Sequence, residues 1–320
     1  MLWRNPARKG FSGNQAKILD IPGVGGIEPL PVSAIKINSS GTTVALFITI
    51  PLWIAYLVSG AILWLKSVPA ALFLIIFVGT YLVSWMGYMR HELWHNYFPG
   101  VNNQFFFRLV SYLLFSDPKV YEIAHVTHHR DLHTVRDIEF CCEGYATKRL
   151  KRKWLFISEF LFGNVAWEAY TVFRLSRAGQ MSYFRTAWSL GLRLLMVLGF
   201  CFLADFIFPG TGKVMAWFYF LTIWFGAVLT RHDQWIEHLG IVSEASLAER
   251  IRLCRNLPNI HWTNRLWNIF NHNDPRGHYF HHAYPQLNLR DYNDMELPPG
   301  VPKITIPQYL SILWNYYKTI

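Results

Sequence analysis

Four long blocks of apolar residues dominate the pattern along this chain. They cover Thr43–Leu65, Pro69–Met89, Thr186–Phe208 and Gly212–Thr230. Each block is close to the roughly 20 residues that a helix needs to cross the hydrocarbon core of a bilayer. The alternative is a large soluble protein with four buried helices, but apolar runs of this length favour membrane spans. The sequence therefore predicts an all-α integral membrane protein with four transmembrane helices.

The four blocks occur in two pairs with very short connections. Lys66–Val68 joins the first pair, and Pro209–Thr211 joins the second. We therefore expect two hairpins whose tips lie on the same side of the membrane. Most lysine and arginine residues lie outside the hairpins, and cytoplasmic segments are enriched in these residues. Both termini and the segment between the hairpins are predicted to be cytoplasmic and to form a helical cap.

The expected organisation has three parts. Residues 1–42 form a cytoplasmic N-terminal segment. Residues 43–230 hold the two hairpins, at 43–88 and 186–230, with a cytoplasmic insert between them. Residues 231–320 form a cytoplasmic C-terminal segment.

The composition agrees with a membrane protein. Of the 320 residues, 52% are hydrophobic, 17% are aromatic and only 16% are charged, whereas soluble domains carry roughly 25% charged residues. The net charge of +10 suits an anionic membrane surface, and no nucleic-acid partner is expected. The four cysteines have the spacing of neither a disulfide framework nor a zinc ribbon.

Eight of the 13 histidines fall in three compact clusters. His91-Glu92-Leu93-Trp94-His95 has the spacing i, i+4, whereas HVTHH and HYFHH have the spacing i, i+3, i+4. On a helix these offsets bring the imidazoles of one cluster onto one face. The first cluster follows the second apolar block, the second lies in the insert and the third follows the fourth block, so all three are expected at one face of the membrane. Their histidines are His91, His95, His125, His128, His129, His278, His281 and His282.

The first cluster also satisfies the HExxH pattern of zinc proteases, in which Glu92 would be the general base. One zinc ion needs only three or four protein ligands, so a protease would leave both HxxHH clusters unexplained. Eight or nine imidazoles suit two metal ions instead. Imidazole binds iron, copper, zinc and nickel, so the ligand type alone does not choose the metal.

The motifs HELWH, HVTHH and HYFHH resemble, in this order, the three histidine boxes of the membrane fatty-acid desaturase superfamily. The superfamily also includes hydroxylases and alkane monooxygenases. The resemblance extends over roughly Leu82–Pro285 and implies that the eight clustered histidines ligate two iron ions. A ninth ligand of the family often follows the fourth span, and the stretch Ile236-Glu237-His238-Leu239-Gly240 implies His238 for this role.

Metal-bound imidazoles usually need a partner that orients them, often a carboxylate. Glu237, Asp137 and Glu92 are the candidates. Some acyl desaturases hold a water with an asparagine four residues before the ninth histidine, where this chain has Gln234. The remaining histidines are expected to be ordinary surface or core residues: His133, His232, His261 and His272.

The implied activity is O₂-dependent oxidation of a fatty-acyl chain, with desaturation as the leading interpretation. A hydroxylase or a fatty-acid decarboxylase on the same scaffold is the close alternative, the HExxH zinc protease is a distant one, and a non-catalytic metal or lipid binder is a third. The chain has no motif for haem, dinucleotide or iron–sulfur binding, so a separate electron donor is implied: ferredoxin, rubredoxin or cytochrome b5.

Two further aromatic stretches are too short or too polar to span the membrane. Phe105–Phe115 predicts an interfacial or re-entrant helix that could form the floor of a substrate tunnel. Trp154–Phe173 predicts an amphipathic stretch at the membrane surface, which carries Glu159 and Glu168. Simple interfacial anchoring by aromatic residues remains the alternative for both.

Overall fold

A computed structural model describes residues 26–27, 40–98, 100–139, 148–271, 277–285 and 295–320 of the chain. These residues form helices and no β-strand, apart from an isolated bridge between Asn256 and Lys303. The helices are α1 (Ser40–Lys66), α2 (Val68–Trp94), α3 (Asn103–Leu113), α4 (Pro118–Asp131), α5 (Arg149–Phe162), α6 (Asn164–Arg177), α7 (Tyr183–Ile207), α8 (Gly212–His238), α9 (Leu247–Arg252), α10 (Trp262–Asn271), α11 (Gly277–Ala283) and α12 (Ile306–Thr319).

Four of these helices, α1, α2, α7 and α8, are long and apolar enough to cross a membrane, which confirms the predicted number of spans. Large apolar side chains point outward from them. Phe202 and Phe206 on α7, for example, are 76% and 78% exposed. Such a surface is stable only against lipid, because a soluble protein rarely leaves a large contiguous apolar surface exposed.

Two spans are longer than their apolar blocks predict. Helix α2 continues from Met89 to Trp94, and α8 continues from Thr230 to His238. The apolar pattern ends where the helix leaves the hydrocarbon, but the backbone hydrogen bonding continues beyond that point. As a result, the last turns of α2 and α8 carry histidines of the predicted site on rigid helices.

Helix α8 packs against α1 and α2 at positions where small residues permit close approach. A Cβ atom on Gly60 of α1 would lie 2.0 Å from the ring of Phe218, and one on Gly226 of α8 would lie 2.3 Å from the side chain of Val83. Small residues at helix contacts are typical of membrane bundles. Tyr56 and Thr222 also share a hydrogen bond of 2.9 Å between α1 and α8.

Helix α3 agrees with the short helix predicted at Phe105–Phe115. The predicted stretch Trp154–Phe173, in contrast, is divided between α5 and α6. The break falls at Gly163, which has a φ of +55° and would place a Cβ atom 2.1 Å from the carbonyl oxygen of Ala227. A glycine is required there because it both adopts the left-handed backbone and lets the chain approach α8.

Buried ion pairs connect the segment between the spans to the spans themselves. Glu159 of α5 pairs with Arg231 of α8 at 2.5 Å, and Glu168 of α6 pairs with Arg193 of α7 at 2.7 Å. Glu159 and Glu168, the carboxylates of the predicted amphipathic stretch, are therefore buried inside the protein.

Most of the N-terminal segment 1–42 lies outside the described residues, as do Cys141, Cys142 and His272. The hairpin topology and the sidedness stay predictions.

Candidate metal centre

Four helices bring the predicted histidines together. His91 lies in the last turn of α2, and His95 directly follows it. The second cluster lies on the C-terminal half of α4, His238 ends α8, and the third cluster lies on α11. Each cluster thus sits at or near a helix end, where successive turns aim imidazoles at one point.

Five of the histidines form a first group, and their ligand atoms all lie within 4.8 Å of one another. Neighbouring Nε2 atoms are separated by 3.1 Å between His91 and His281, 3.1 Å between His95 and His125, 3.1 Å between His125 and His129, and 3.0 Å between His129 and His281. Two nitrogens bound at right angles to one metal, each at roughly 2.1 Å, would lie about 3.0 Å apart. The five imidazoles therefore fit around one ion.

The other four histidines form a second, adjacent group. His128, His238 and His282 have ligand atoms within 4.8 Å of one another. The Nε2 atom of His278 lies 2.7 Å from that of His238 and 3.1 Å from that of His282. His129 and His282 connect the groups, with ring centres 4.9 Å apart. All nine predicted histidines are thus present in two groups of five and four, each of which could hold one metal ion.

The protonation of these side chains favours metal binding. Burial lowers the pKa of His125, His129, His281 and His282 well below its ordinary value. They are consequently neutral at physiological pH, which is the form in which imidazole binds a metal. Burial also lowers the pKa of His128, but the Asp137 carboxylate outweighs this effect and raises it.

Carboxylates hold the outer nitrogens of several of these imidazoles. The Nδ1 atom of His128 lies 2.8 Å from Asp137, and that of His278 lies 3.0 Å from Glu237. His91 Nδ1 lies 3.3 Å from Glu92. A carboxylate that accepts a hydrogen bond from Nδ1–H leaves the Nε2 lone pair directed into the site.

The carboxylate of Glu139 also belongs to this surrounding shell, and the sequence reasoning missed it. Its Oε2 atom lies 3.8 Å from the Nδ1 atom of His125, and burial raises the pKa of its carboxyl group. The signal in the sequence is its position two residues after Asp137, in the same turn region that follows the second cluster.

His133 is closer to the site than expected from the sequence. Its Nε2 atom lies 2.8 Å from the Nδ1 atom of His238, and its Nδ1 atom lies 3.0 Å from the carbonyl oxygen of Arg250. A carbonyl only accepts, so His133 carries its proton on Nδ1. Its Nε2 atom then accepts a hydrogen bond from the Nδ1–H group of His238, whose own Nε2 atom faces the site. Burial supports this neutral form by lowering the pKa of His133 to about 3.

The other two described histidines lie outside the two groups. His232 hydrogen-bonds the Tyr309 hydroxyl at 2.6 Å, and His261 hydrogen-bonds the Thr263 hydroxyl at 2.7 Å. Gln234 contacts Arg231 through a hydrogen bond of 3.2 Å. Cys254 is a free, buried cysteine whose Sγ atom lies 4.0 Å from His133 Nε2.

A cavity of about 450 Å³ extends from the histidines between α2, α6, α7 and α8. Seven of the nine histidines line it: His91, His125, His128, His238, His278, His281 and His282. Its walls include the apolar residues Val83, Val172, Leu190, Ile223 and Ala227. Arg193 and Glu168 also line it. The arrangement can hold an extended apolar molecule with one part beside both histidine groups.

Residues 66–307, well over half of the chain, match the model of the family described as fatty acid desaturase. Comparisons with curated proteins and with solved structures find no match. The family is generally di-iron and acts on fatty acids, which agrees with two groups of buried or half-buried imidazoles beside a largely apolar cavity. It also disfavours the zinc-protease interpretation of HELWH. The chain therefore belongs to the fatty acid desaturase family.

Proposed function

We propose that this protein is a membrane di-iron enzyme that uses O₂ to desaturate a fatty-acyl chain. The observation that carries this proposal is the juxtaposition of five and four buried or half-buried histidines beside a largely apolar cavity in a member of this family. The reaction removes two hydrogens: R–CH₂–CH₂–R′ + O₂ + 2 e⁻ + 2 H⁺ gives R–CH=CH–R′ + 2 H₂O.

All nine histidines are proposed as iron ligands. The first iron would be held by His91, His95, His125, His129 and His281, and the second by His128, His238, His278 and His282. Iron would supply O₂ activation and the abstraction of hydrogen from an unactivated C–H bond. The spacing of the Nε2 atoms supports this assignment, since each separation of about 3 Å is that of two ligands on one ion.

The protein's own part is to orient the ligands and to exclude water. Asp137 and Glu237 accept hydrogen bonds from the Nδ1–H groups of His128 and His278, so that each Nε2 lone pair is directed inward. Burial of the imidazoles keeps the site out of bulk solvent, which protects reactive species from side reactions.

The cavity supports a long apolar substrate. Its volume of about 450 Å³ lies within the range of about 300–1,000 Å³ that is typical of ligand pockets. An acyl chain would lie along Val83, Ile223 and Ala227, with the methylene groups to be oxidised beside the histidines. Trp167 and the paired Arg193 and Glu168 would limit how the chain is placed.

Two electrons must come from a separate donor, and ferredoxin, rubredoxin and cytochrome b5 are the expected classes. The active site and both termini are proposed to be cytoplasmic, where such donors and their reductases are found. The concentration of basic residues outside the spans supports this orientation.

Product analysis tests the proposal directly. Purified protein in lipid nanodiscs is supplied with iron, a reduced donor, O₂ and fatty-acyl substrates, and the products are measured by mass spectrometry. Loss of two hydrogens supports desaturation, whereas gain of one oxygen would identify a hydroxylase and loss of carbon a decarboxylase. Metal analysis is expected to give two irons per chain; one zinc and no iron would contradict the proposal.

The matched variants are His282→Ala and His261→Ala. His282 lies in the second group. His261 lies outside both groups, and among the described residues its ring nitrogen hydrogen-bonds Thr263. We expect His282→Ala to abolish product and to lower the iron content, and His261→Ala to leave both unchanged. Normal product from His282→Ala would contradict the assignment of that ligand.

A further inference from the structure

Helix α10 has the opposite polarity to a surface helix in water. Its outward side chains include the apolar residues Trp262, Leu266 and Ile269, which are 69%, 51% and 62% exposed. They lie at i, i+4 and i+7 and therefore form one continuous face of the helix. An amphipathic helix in water directs its apolar stripe toward the core and its polar face toward solvent.

The two buried side chains of α10 are polar. Asn264 and Asn268 are 0% and 9% exposed, and both donate hydrogen bonds of 2.7–3.0 Å. Asn264 Oδ1 also accepts a hydrogen bond of 3.0 Å from a backbone amide. The partners are backbone groups of Leu257, Pro258, Ile304 and Ile306 and the side chain of Asn259. Turning these side chains outward would break several buried hydrogen bonds at once, so the orientation of α10 is fixed.

The outer surface of α10 continues the lipid-facing surface of α2. The ring of Phe270 lies 5.9 Å from that of Phe77, and Phe77 lies 4.4 Å from Phe73. Phe73 and Phe77 are 62% and 41% exposed on this span. Phe77 follows the first residue of α2 by nine positions, or roughly 14 Å at 1.5 Å per residue. This depth is well inside a hydrocarbon core of about 30 Å.

The one charged residue on the outward side of α10 is turned back along the helix. Arg265 donates from its Nε atom to the carbonyl oxygen of Asn259, which precedes the helix, at 3.1 Å. Long basic side chains at a membrane surface direct their charged ends toward the polar region in this manner. On the inner side, Trp267 donates a hydrogen bond of 3.0 Å to Asp233 of α8, which holds α10 beside the bundle.

From these observations we propose that α10 is embedded in the bilayer beside α2, with the face formed by Trp262, Leu266 and Ile269 against lipid acyl chains. Lipid, rather than a second copy of the chain, is the occupant because this face is continuous with the exposed strip of Phe73 and Phe77 on a membrane span. The C-terminal segment 231–320, predicted to be cytoplasmic throughout, would then contribute a membrane-embedded element between the fourth span and the third histidine cluster.

Site-specific photocrosslinking tests this assignment in the full-length protein. Leu266 is replaced by p-benzoylphenylalanine, and the protein is reconstituted in nanodiscs of phosphatidylcholine and illuminated. Phe202, which is 76% exposed on the span α7, serves as the lipid-facing control. Lys303, an exposed residue in the segment before α12, serves as the water-facing control. The mass of the adduct at each position is then measured.

We expect a phosphatidylcholine adduct at position 266 with a yield comparable to that at position 202, and none at position 303. A second variant at Trp262 provides the same test if the first does not insert. The proposal is overturned if position 266 behaves like position 303. It is also overturned if the adduct is a peptide, whether from a second copy or from the N-terminal part of the same chain.

Discussion

His133 connects a histidine of the proposed iron site to the backbone of a distant helix. It accepts a hydrogen bond from the Nδ1–H group of His238 and donates one from its own Nδ1–H group to the carbonyl oxygen of Arg250 in α9. His238 is the only member of the nine on α8, and this contact fixes the tautomer that directs its Nε2 atom into the second group. His133 is therefore a positioning residue for one iron ligand.

We expect His133→Asn to lower the iron content from two toward one per chain and the activity by about 10- to 100-fold, as outer-shell changes around metals do. Asparagine tolerates the left-handed backbone of His133, which has a φ of 58°, but is too short to reach His238. Iron analysis and Mössbauer spectroscopy are the measurements. His133→Gln, which restores reach, should recover part of the second iron, and His261→Asn should be silent. An unchanged spectrum in His133→Asn would contradict the positioning role.

The different outcomes for His133 and the eight clustered histidines have a physical reason. The clusters are visible in the sequence because their spacing alone places imidazoles on one helical face. His133 and His238 are 105 residues apart, and Glu139 meets His125 only after the chain turns back beyond α4. No periodicity marks such contacts, so they appear only once the helices are placed.

Helix α4 depends on its N-terminal cap to present three histidines. The Asp117 carboxylate accepts hydrogen bonds from the backbone amides of Lys119 and Val120 at 2.8 and 3.3 Å and pairs with Arg185 of α7 at 3.0 Å. Burial alone would raise the pKa of Asp117, but hydrogen bonding and charge from Arg185 lower it. One carboxylate thus stabilises the helix and connects it to a span.

Replacement of Asp117 should separate these two roles. Asp117→Asn keeps the cap and loses the ion pair, whereas Asp117→Ala should cost about 1 kcal/mol more because the cap is lost as well. The melting temperature in nanodiscs measures both. The pKa of Asp117 is lower in the folded than in the unfolded protein. The extra stability of the wild-type protein over Asp117→Asn is therefore fully present above the unfolded-state pKa of about 3.9, and it is lost as the pH falls through the folded-state pKa.

Glu122→Gln is the control for Asp117, since Glu122 is 45% exposed in its surface pair with Lys119. It should change the melting temperature little, because exposed pairs contribute about 0–1 kcal/mol. Equal melting temperatures for Asp117→Ala and Asp117→Asn would show that the cap contributes nothing to the stability of α4.

The contact between α2 and α8 helps to position the helix ends that carry His91 and His238. A Cβ atom on Gly226 would lie 2.3 Å from the Cγ1 atom of Val83, so Gly226→Ala must separate the helices or distort Val83. We expect a loss of about 1–3 kcal/mol in stability, together with a lower iron content. Gly191→Ala on α7, where no atom lies within 4 Å, should leave the iron content unchanged. Equal effects of both substitutions on iron content would refute this explanation.

Apolar length predicted the four spans, but not where their helices end. The hydrophobic signal stops at the membrane surface, whereas α2 and α8 continue for one to two more turns and carry His91 and His238. The sequence pattern at Trp154–Phe173 predicts one amphipathic stretch, but the helix is broken at Gly163. The pattern does not show this break, because it results from the close approach of the Gly163 backbone to Ala227 of α8. Helix α10 is likewise not predicted by apolar length, because it is short and its apolar residues alternate with the asparagines that it buries.

Charges inside the bundle are paired over long sequence distances. Arg231 is 1% exposed and donates to Glu159 from two nitrogens and to the carbonyl of Glu139. Arg193 pairs with Glu168 on the cavity wall. A buried charge without such partners is very costly. The pairs therefore fix the positions of α5 and α6 against the spans and so determine the shape of the cavity, which the sequence pattern alone does not contain.

The proposed irons would also hold the molecule together, most of all at α11. This helix has only seven residues, too few to be stable alone, and its three histidines contact groups from α2, α4 and α8. A ligand present at 100 times its Kd stabilises the folded state by about 2.7 kcal/mol. Removing iron with a chelator should therefore accelerate amide hydrogen exchange in α11 by about 100-fold, because local opening no longer breaks metal bonds.

Exchange in the middle of α1 should not change in the same experiment, since its contacts with α8 do not involve the histidines. Restoring iron should restore the protection of α11. Equal exchange in α11 with and without iron would mean that the apolar contacts of Tyr279 and Phe280, which are 3% and 2% exposed, hold the third histidine cluster in place without metal. In that case the site would be preformed, and iron would bind without ordering the protein around it.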